Sequence, residues 1–139
     1  ISIAELFTDL KKLFPEEEFQ FEVPSPELKL NVDRTQIEQI LINLLKNARE
    51  ACSRKSDKKI QVKARKLSAG NTTLTISDNG EGILPDVLDK IFVPFFTTKT
   101  SGSGIGLSLC KQIMTLHEGS INVKSEVGKG SSFILTLPK

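Results

Sequence analysis

The sequence is poor in the residues that most often build metal centres and nucleophilic sites. It contains one histidine, His117, and two cysteines, Cys52 and Cys110. A single histidine cannot complete a zinc site, and nothing indicates a serine–histidine–aspartate set. Both cysteines fall in helical segments without metal-ligand spacing, so we expect two small buried thiols. We expect His117 at the surface, where a helix ends.

Long apolar runs and a strong excess of one charge are also missing. No stretch approaches the roughly 18 apolar residues of a membrane-spanning helix, and we expect no signal peptide in this stretch of sequence. The net charge is only +2, without a basic stripe interleaved with aromatics, which argues against nucleic-acid binding. We therefore expect a cytoplasmic domain with no nucleic-acid partner and no membrane contact of its own. The only methionine is Met114, which predicts a fragment of a longer protein.

Hydrophobic periodicity predicts a mixture of helices and strands within one domain covering residues 1–139. The pattern indicates a helix at residues 4–13, a two-stranded unit at 19–32 and a long helix capped by Asp33 or Thr35. Strands follow at residues 60–64 and 74–76, a helix at 105–116, and two strands that turn near Gly128 and Gly130. This order predicts an α+β fold with two layers, a mixed sheet of about five strands covered on one face by about three helices.

Two asparagines lie close together on the long predicted helix. Asn43 and Asn47 are four residues apart, so they share a helix side beside the apolar stripe, and Glu50 lies on that side too. Amide oxygens in this position suit Mg²⁺, which also keeps water and phosphate ligands. The alternative is a pair of ordinary surface or capping asparagines.

An aspartate follows the second central strand. Asp78 shares the parity of Leu74 and Ile76, so it points toward the core, where an acid requires a partner. Gly80 and Gly82 follow directly and leave room for a flat ligand. An aspartate that accepts a hydrogen bond from an adenine amino group would explain both features. The alternative is turn chemistry at a strand end.

A glycine-rich stretch opens the last predicted helix. Backbone amides at a helix start bind phosphate, and glycine allows close approach. The stretch matches neither the Rossmann spacing nor a Walker A sequence. Three phenylalanines precede it, and Lys99, which lies between the last phenylalanine and the glycines, could reach a phosphate. The residues of this stretch are Gly102, Ser103, Gly104, Ile105, Gly106 and Leu107.

The order of these elements resembles the GHKL ATPase superfamily, which includes histidine kinases, gyrase, mismatch-repair ATPases and a large heat-shock chaperone. The sequence around Asn43 and Asn47 resembles the N box of the kinases. The stretch from Phe92 to Lys99 resembles the F box and the start of the ATP lid in nitrogen-regulator-type kinases. The resemblance implies the Bergerat fold and the catalytic, ATP-binding domain of a sensor histidine kinase.

The resemblance also implies roles for individual residues. Asn47 would be the Mg²⁺ ligand, Asn43 would contact phosphate or metal-bound water, and Asp78 would hold the adenine. Ser131, which has the inward parity of Phe133, would help to fix a water at the base. The catalytic set would be Asn43, Asn47 and Lys99. The remaining residues expected to bind nucleotide are Glu50, Gly80, Gly82, Ile83, Phe95, Thr98, Ser101 and the glycine-rich stretch from Gly102 to Leu107.

The implied reaction is transfer of the γ-phosphoryl group of ATP to a histidine on a separate dimerisation domain, with a response regulator downstream. Hydrolysing relatives carry a glutamate four residues before the metal-binding asparagine, where this chain has Asn43, so attack by water should be slow. Glu50 could still act as a base from another angle. Three alternatives stay open: a nucleotide-binding regulatory module, an anti-sigma-type serine kinase and a GHKL ATPase.

Overall fold

The computed structural model describes residues 1–94 and 106–138. Four helices and five strands lie in this described part of the chain. Their order is α1 (Ile3–Leu13), β1 (Phe19–Phe21), α2 (Arg34–Ala51), β2 (Ile60–Lys66), β3 (Thr72–Asp78), α3 (Pro85–Leu88), α4 (Gly106–Leu116), β4 (Ser120–Glu126) and β5 (Gly130–Leu137).

The five strands form one mixed sheet in the order β1-β2-β3-β5-β4. β1 pairs in parallel with β2, and every other pair is antiparallel. Strand side chains of one parity are buried, and they form a single hydrophobic core with the helices. The predicted two-layer α+β architecture, with the sheet covered on one face, is therefore confirmed. The buried strand residues include Ile60, Val62, Leu74, Ile76, Phe133, Leu135 and Ile121.

α2 is the central helix of the covering layer. The carboxylate of Asp33 accepts a hydrogen bond from the backbone N–H of Gln36 at 3.0 Å, so Asp33 is the N-cap. The predicted apolar stripe of α2 is buried from Ile37 to Ala48. None of the helices in the described residues is long and apolar enough to cross a membrane.

The segment from residue 19 to 32 differs from the predicted two-stranded unit. Only Phe19–Phe21 forms a strand, and it pairs with β2. The backbone N–H of Leu30 instead donates to the carbonyl of Ile1, and the N–H of Ile3 donates to the carbonyl of Leu28. Two prolines lie between the halves and cannot donate to a ladder, so the second half pairs with the start of α1.

The glycine- and proline-rich segment after β3 contains a helix that periodicity did not predict. α3 is a single turn from Pro85 to Leu88, with the proline in its first turn and no buried residue. Four residues are too few to reveal an apolar stripe. α4 is described from Gly106 onward, and the β4–β5 turn contains Gly128 and Gly130 with positive φ angles of 85° and 127°, as predicted.

Candidate nucleotide-binding site

The site lies where α2 and α4 pack against each other in opposite directions. The N-cap of α2, Asp33, contacts His117 just past the end of α4, and Asn43 in mid-helix contacts Cys110. Asn47 lies one turn beyond Asn43, and Gly106 lies one turn before Cys110. The antiparallel arrangement therefore brings the first turn of α4 alongside Asn47. The structure thus brings the asparagines predicted to bind the metal close to the start of α4, which was predicted to bind phosphate.

The acid at the end of β3 lies beside the C-terminal end of α2. Asp78 is half-buried and pairs in register with Ser131 of β5, and its carboxylate accepts a hydrogen bond from the backbone N–H of Gly80 at 2.9 Å. Burial raises the pKa of Asp78 above its ordinary value. Hydrogen bonds from the backbone N–H groups of Gly80 and Ser131 lower that pKa in part, and the charge of Glu81 raises it. An acid held this way can accept a hydrogen bond from a ligand amino group.

The turn after Asp78 packs directly on the end of α2. A Cβ at Gly80 would lie 2.5 Å from the carbonyl oxygen of Ala51, and that same oxygen accepts a hydrogen bond from the N–H of Glu81 at 3.1 Å. This close approach is a reason for glycine that does not depend on a ligand. Because Asn47 lies one turn before Ala51, the turn also fixes Asp78 relative to the asparagines.

Asn79 holds the same turn from the other side, and the sequence reasoning missed it. Its side-chain oxygen accepts from the N–H of Lys59 at 2.8 Å, and its amide donates to the carbonyl of Asp57 at 2.8 Å. The thiol of Cys52 lies 3.5 Å from that oxygen. The Asp-Asn-Gly sequence signals a turn, but these long-range partners are not visible in it.

A small hydroxyl cluster completes the site on the side of the β4–β5 hairpin. Ser131 is buried as its parity predicted, and its hydroxyl lies 2.8 Å from that of Ser125. Ser125 also accepts from the backbone N–H of Ile83 at 2.7 Å. Ser125 shares the parity of Ile121 and Val123, which is the signal that could have identified it.

Asp78 lines a shallow depression of about 330 Å³ at this end of the sheet. The depression is open to solvent, and both polar and apolar atoms line it. Its other lining residues are Lys124, Ser125, Glu126, Lys129, Gly130, Ser131 and Ser132.

The described residues contain no group of three or more histidine, cysteine, aspartate or glutamate side chains that could hold a metal ion. Asn43 and Asn47 are half-buried on the α4 side of α2, and Glu50 is exposed. A divalent cation here would depend on amide oxygens together with ligand phosphates and water. Mg²⁺ accepts such a donor set in nucleotide sites.

Several predicted residues lie outside the described part of the chain. These are Phe95, Thr98, Lys99, Ser101, Gly102, Ser103, Gly104 and Ile105. Of the described neighbours, Gly106 begins α4, Leu107 is partly buried against the core, and Lys111 of α4 lies 5.7 Å from the ring centre of Phe92. The described phenylalanine of the F box-like stretch therefore packs beside α4.

Comparison with known proteins identifies the family. A family described as histidine kinase-, DNA gyrase B- and HSP90-like ATPase matches residues 32–139. The chain belongs to this ATPase family. It is 40% identical over 110 residues to the sensor histidine kinase ZraS of Salmonella typhimurium, a match covering 79% of this chain and 23% of ZraS. The chain thus spans less than a quarter of that relative.

Solved structures place the chain in the histidine kinase branch. The catalytic domain of histidine kinase ThkA superimposes with a TM-score of 0.86 at 35% identity, covering 100% of this chain and 93% of that domain. The structure of ThkA in complex with the response regulator protein TrrA matches with a TM-score of 0.79 at 31% identity. This match covers 100% of the present chain and 41% of the ThkA chain. The resemblance seen in the sequence motifs is confirmed.

Proposed function

We propose that this chain binds Mg-ATP and transfers the γ-phosphoryl group to a histidine on a separate dimerisation domain. The observation that carries the proposal is the convergence of Asp78, the asparagine face of α2 and the start of α4. Asp78 offers an acceptor of raised pKa to the adenine amino group. The first backbone amides of α4 lie alongside Asn47, where phosphates and a cation would meet.

In this proposal Asn47 supplies the protein oxygen for Mg²⁺, and Asn43 contacts phosphate or metal-bound water. Bound Mg²⁺ would neutralise charge on the phosphate oxygens during transfer. The assignments of Phe95, Thr98, Lys99 and Ser101 remain predictions from the family resemblance. So does the wrapping of the phosphates by the glycine-rich stretch.

Transfer is favoured over hydrolysis by the side chain at position 43. Asn43 lies against the buried thiol of Cys110, with its amide nitrogen 3.9 Å from the sulfur. An amide and a protonated thiol cannot accept a proton from water as a carboxylate does. Glu50 is exposed near the end of α2, on the same side as Asn43 and Asn47. Its carboxylate is the candidate general base for attack by water. Phosphoryl transfer depends mainly on positioning and charge neutralisation, so it does not require that base.

The proposed protein partners are the dimerisation and histidine-phosphotransfer domain of the same kinase and a downstream response regulator. The support is the similarity to ZraS, a sensor histidine kinase, and to ThkA, which has been solved with TrrA. Because both partners would lie outside this chain, its own task would be to present the nucleotide.

The decisive experiment is phosphotransfer with radiolabelled ATP and a dimerisation domain added separately. We expect an acid-labile, base-stable phosphohistidine on that domain, and slow release of free phosphate without it. Asn47→Ala should abolish Mg²⁺-dependent transfer. Gln39→Ala, at an exposed position of α2, is the matched control and should transfer normally.

Each alternative gives a different result in the same assay. An acid-stable phosphoserine would indicate a serine kinase, and rapid phosphate release without the acceptor domain would indicate an ATPase. Nucleotide binding without any transfer would indicate a regulatory module. Normal transfer by the Asn47→Ala variant would remove Asn47 from the metal site.

A further inference from the structure

We infer that Ser125 is a positioning residue for base recognition, because it holds the turn that follows Asp78 in place. The inference rests on the proposed function, since it concerns how the adenine acceptor is oriented. Ser125 lies on β4, outside every motif of the sequence. Its role follows from three hydrogen-bonding contacts made by one hydroxyl group.

The hydroxyl of Ser125 is fully used by these contacts. It accepts from the N–H of Ile83 at 2.7 Å, donates to the carbonyl of Gly130 at 3.1 Å and lies 2.8 Å from the hydroxyl of Ser131. A serine hydroxyl has one proton and two lone pairs. If the proton goes to Gly130, the second lone pair accepts the proton of Ser131. Ser125 thereby fixes the orientation of the Ser131 hydroxyl.

The turn from Glu81 to Ile83 is joined to the β4–β5 hairpin by two hydrogen bonds. One is from the N–H of Gly128 to the carbonyl of Glu81 at 2.9 Å, and the other is from Ile83 to Ser125. The first joins backbone to backbone. The second ends on a side chain, so a substitution can remove it without changing the main chain.

A shift of this turn would change the orientation of the Asp78 carboxylate. Gly80 directly precedes the turn and its N–H donates to the carboxylate of Asp78, while Gly82 within the turn packs against the backbone of Glu126. Moving the turn away from the hairpin would carry the Gly80 N–H with it and change the orientation of the acceptor. Ser131 pairs in register with Asp78, so a change in the orientation of the Ser131 hydroxyl would alter the hydrogen-bonding groups beside the Asp78 carboxylate.

The test is calorimetric titration of wild type and Ser125→Ala with ADP and with GDP. Loss of one neutral hydrogen bond corresponds to about a 3- to 10-fold fall in ADP affinity. We expect that fall together with a lower ADP-to-GDP preference and faster exchange of the Ile83 amide. Ser125→Thr keeps the hydroxyl and should restore all three. Thr8→Ala, which removes a hydroxyl hydrogen bond of equal 2.8 Å length to the carbonyl of Ala4 on α1, is the matched control and should match wild type.

A folded Ser125→Ala protein with unchanged ADP affinity and unchanged base preference would overturn the inference, even if its thermal stability fell. If Ser125→Ala does not fold, Ser125→Cys provides the same comparison, because a thiol is a weaker acceptor of similar shape. Failure of the wild type to bind ADP is a separate result that would overturn the proposed function itself.

Discussion

The imidazole of His117 accepts a hydrogen bond from the backbone N–H of Asp33, with its Nε2 atom 3.1 Å from that nitrogen. Its other ring nitrogen, Nδ1, lies 2.9 Å from the carbonyl oxygen of Ile113. His117 lies half-buried just past the end of α4, at the helix end where it was expected, and it also joins that end to the N-cap of α2. Both ring nitrogens therefore have hydrogen-bond partners, and Nε2 must be the acceptor because its partner is an N–H group.

The first prediction concerns the proton on that ring. The contacts require a neutral imidazole with its proton on Nδ1, because Nε2 faces an N–H donor. We expect nitrogen chemical shifts of the Nδ1–H tautomer in the folded protein near pH 8. His117→Ala should lower the free energy of unfolding by about 1–2 kcal/mol. His117→Gln can place an oxygen near the Nε2 position and should lose less. An Nε2–H tautomer would contradict this account.

The second prediction separates binding from stability at Asp78. Burial raises the pKa of its carboxyl, so the charged form is penalised in the folded state. A folded-state pKa above the unfolded value stabilises at low pH, and that contribution disappears as pH rises through the folded pKa. At pH 7 the charge therefore opposes folding. Asp78→Asn should be at least as stable as wild type in thermal denaturation without nucleotide.

The same Asp78→Asn protein should bind ADP roughly 30- to 150-fold more weakly, because a charged acceptor is replaced by an amide that is partly a donor. Calorimetric titration measures this loss. Asp57→Asn removes an exposed carboxylate from the loop before β2 and serves as the matched control. Equal ADP affinities for Asp78→Asn and wild type would remove Asp78 from the adenine site.

The third prediction concerns two glycines of the same site. Gly80 does not have a positive φ angle, but an added Cβ would lie 2.5 Å from the carbonyl oxygen of Ala51. Gly80→Ala should therefore cost about 1–3 kcal/mol of unfolding free energy through steric overlap. A Cβ at Gly106 meets no described atom within 4 Å, and alanine is favoured over glycine in a helix by up to about 1 kcal/mol, so Gly106→Ala should not lower the free energy of unfolding. Equal urea midpoints for the two variants would refute the packing argument.

The fourth prediction concerns the thiol beside Asn43. Burial raises the pKa of Cys110 to about 11, and the hydrogen bond from Asn43 offsets only part of that rise. In a Cys52→Ala background, the folded protein should react very slowly with a thiol reagent at pH 8, and rapidly once unfolded. Its stability should fall as pH rises from about 9 toward 11, since the unfolded thiol ionises first. Fast labelling of the folded protein would show that Cys110 is accessible.

Periodicity was sufficient for the elements that bury an apolar face. α2, α4 and the strands around Leu74 and Phe133 were predicted because burial imposes a repeat on the sequence. The strand expected at residues 28–32 was wrong, since an alternating pattern does not say which partner the backbone will pair with. There the partner was the start of α1, reached by a turn through two prolines.

The candidate site was predicted where its residues form local motifs, and missed where its contacts are long-range. Motif spacing and strand parity predicted a site at Asp78, Asn43 and Asn47, and the structure brings their elements together. Ser125 escaped because its partner Ile83 is 42 residues away and becomes a neighbour only when the hairpin packs on the turn. Gly80 was predicted to leave room for a flat ligand. Its close packing against Ala51 was not predicted, because that contact depends on where α2 ends.

Calorimetric titration can show whether Asp78, Asn47 and the start of α4 form one nucleotide site. ADP and a non-hydrolysable ATP analogue should each be titrated with and without Mg²⁺. We expect saturable binding at one site that Mg²⁺ strengthens, and loss of the Mg²⁺ effect in Asn47→Ala. Absence of binding to a folded sample would contradict this expectation.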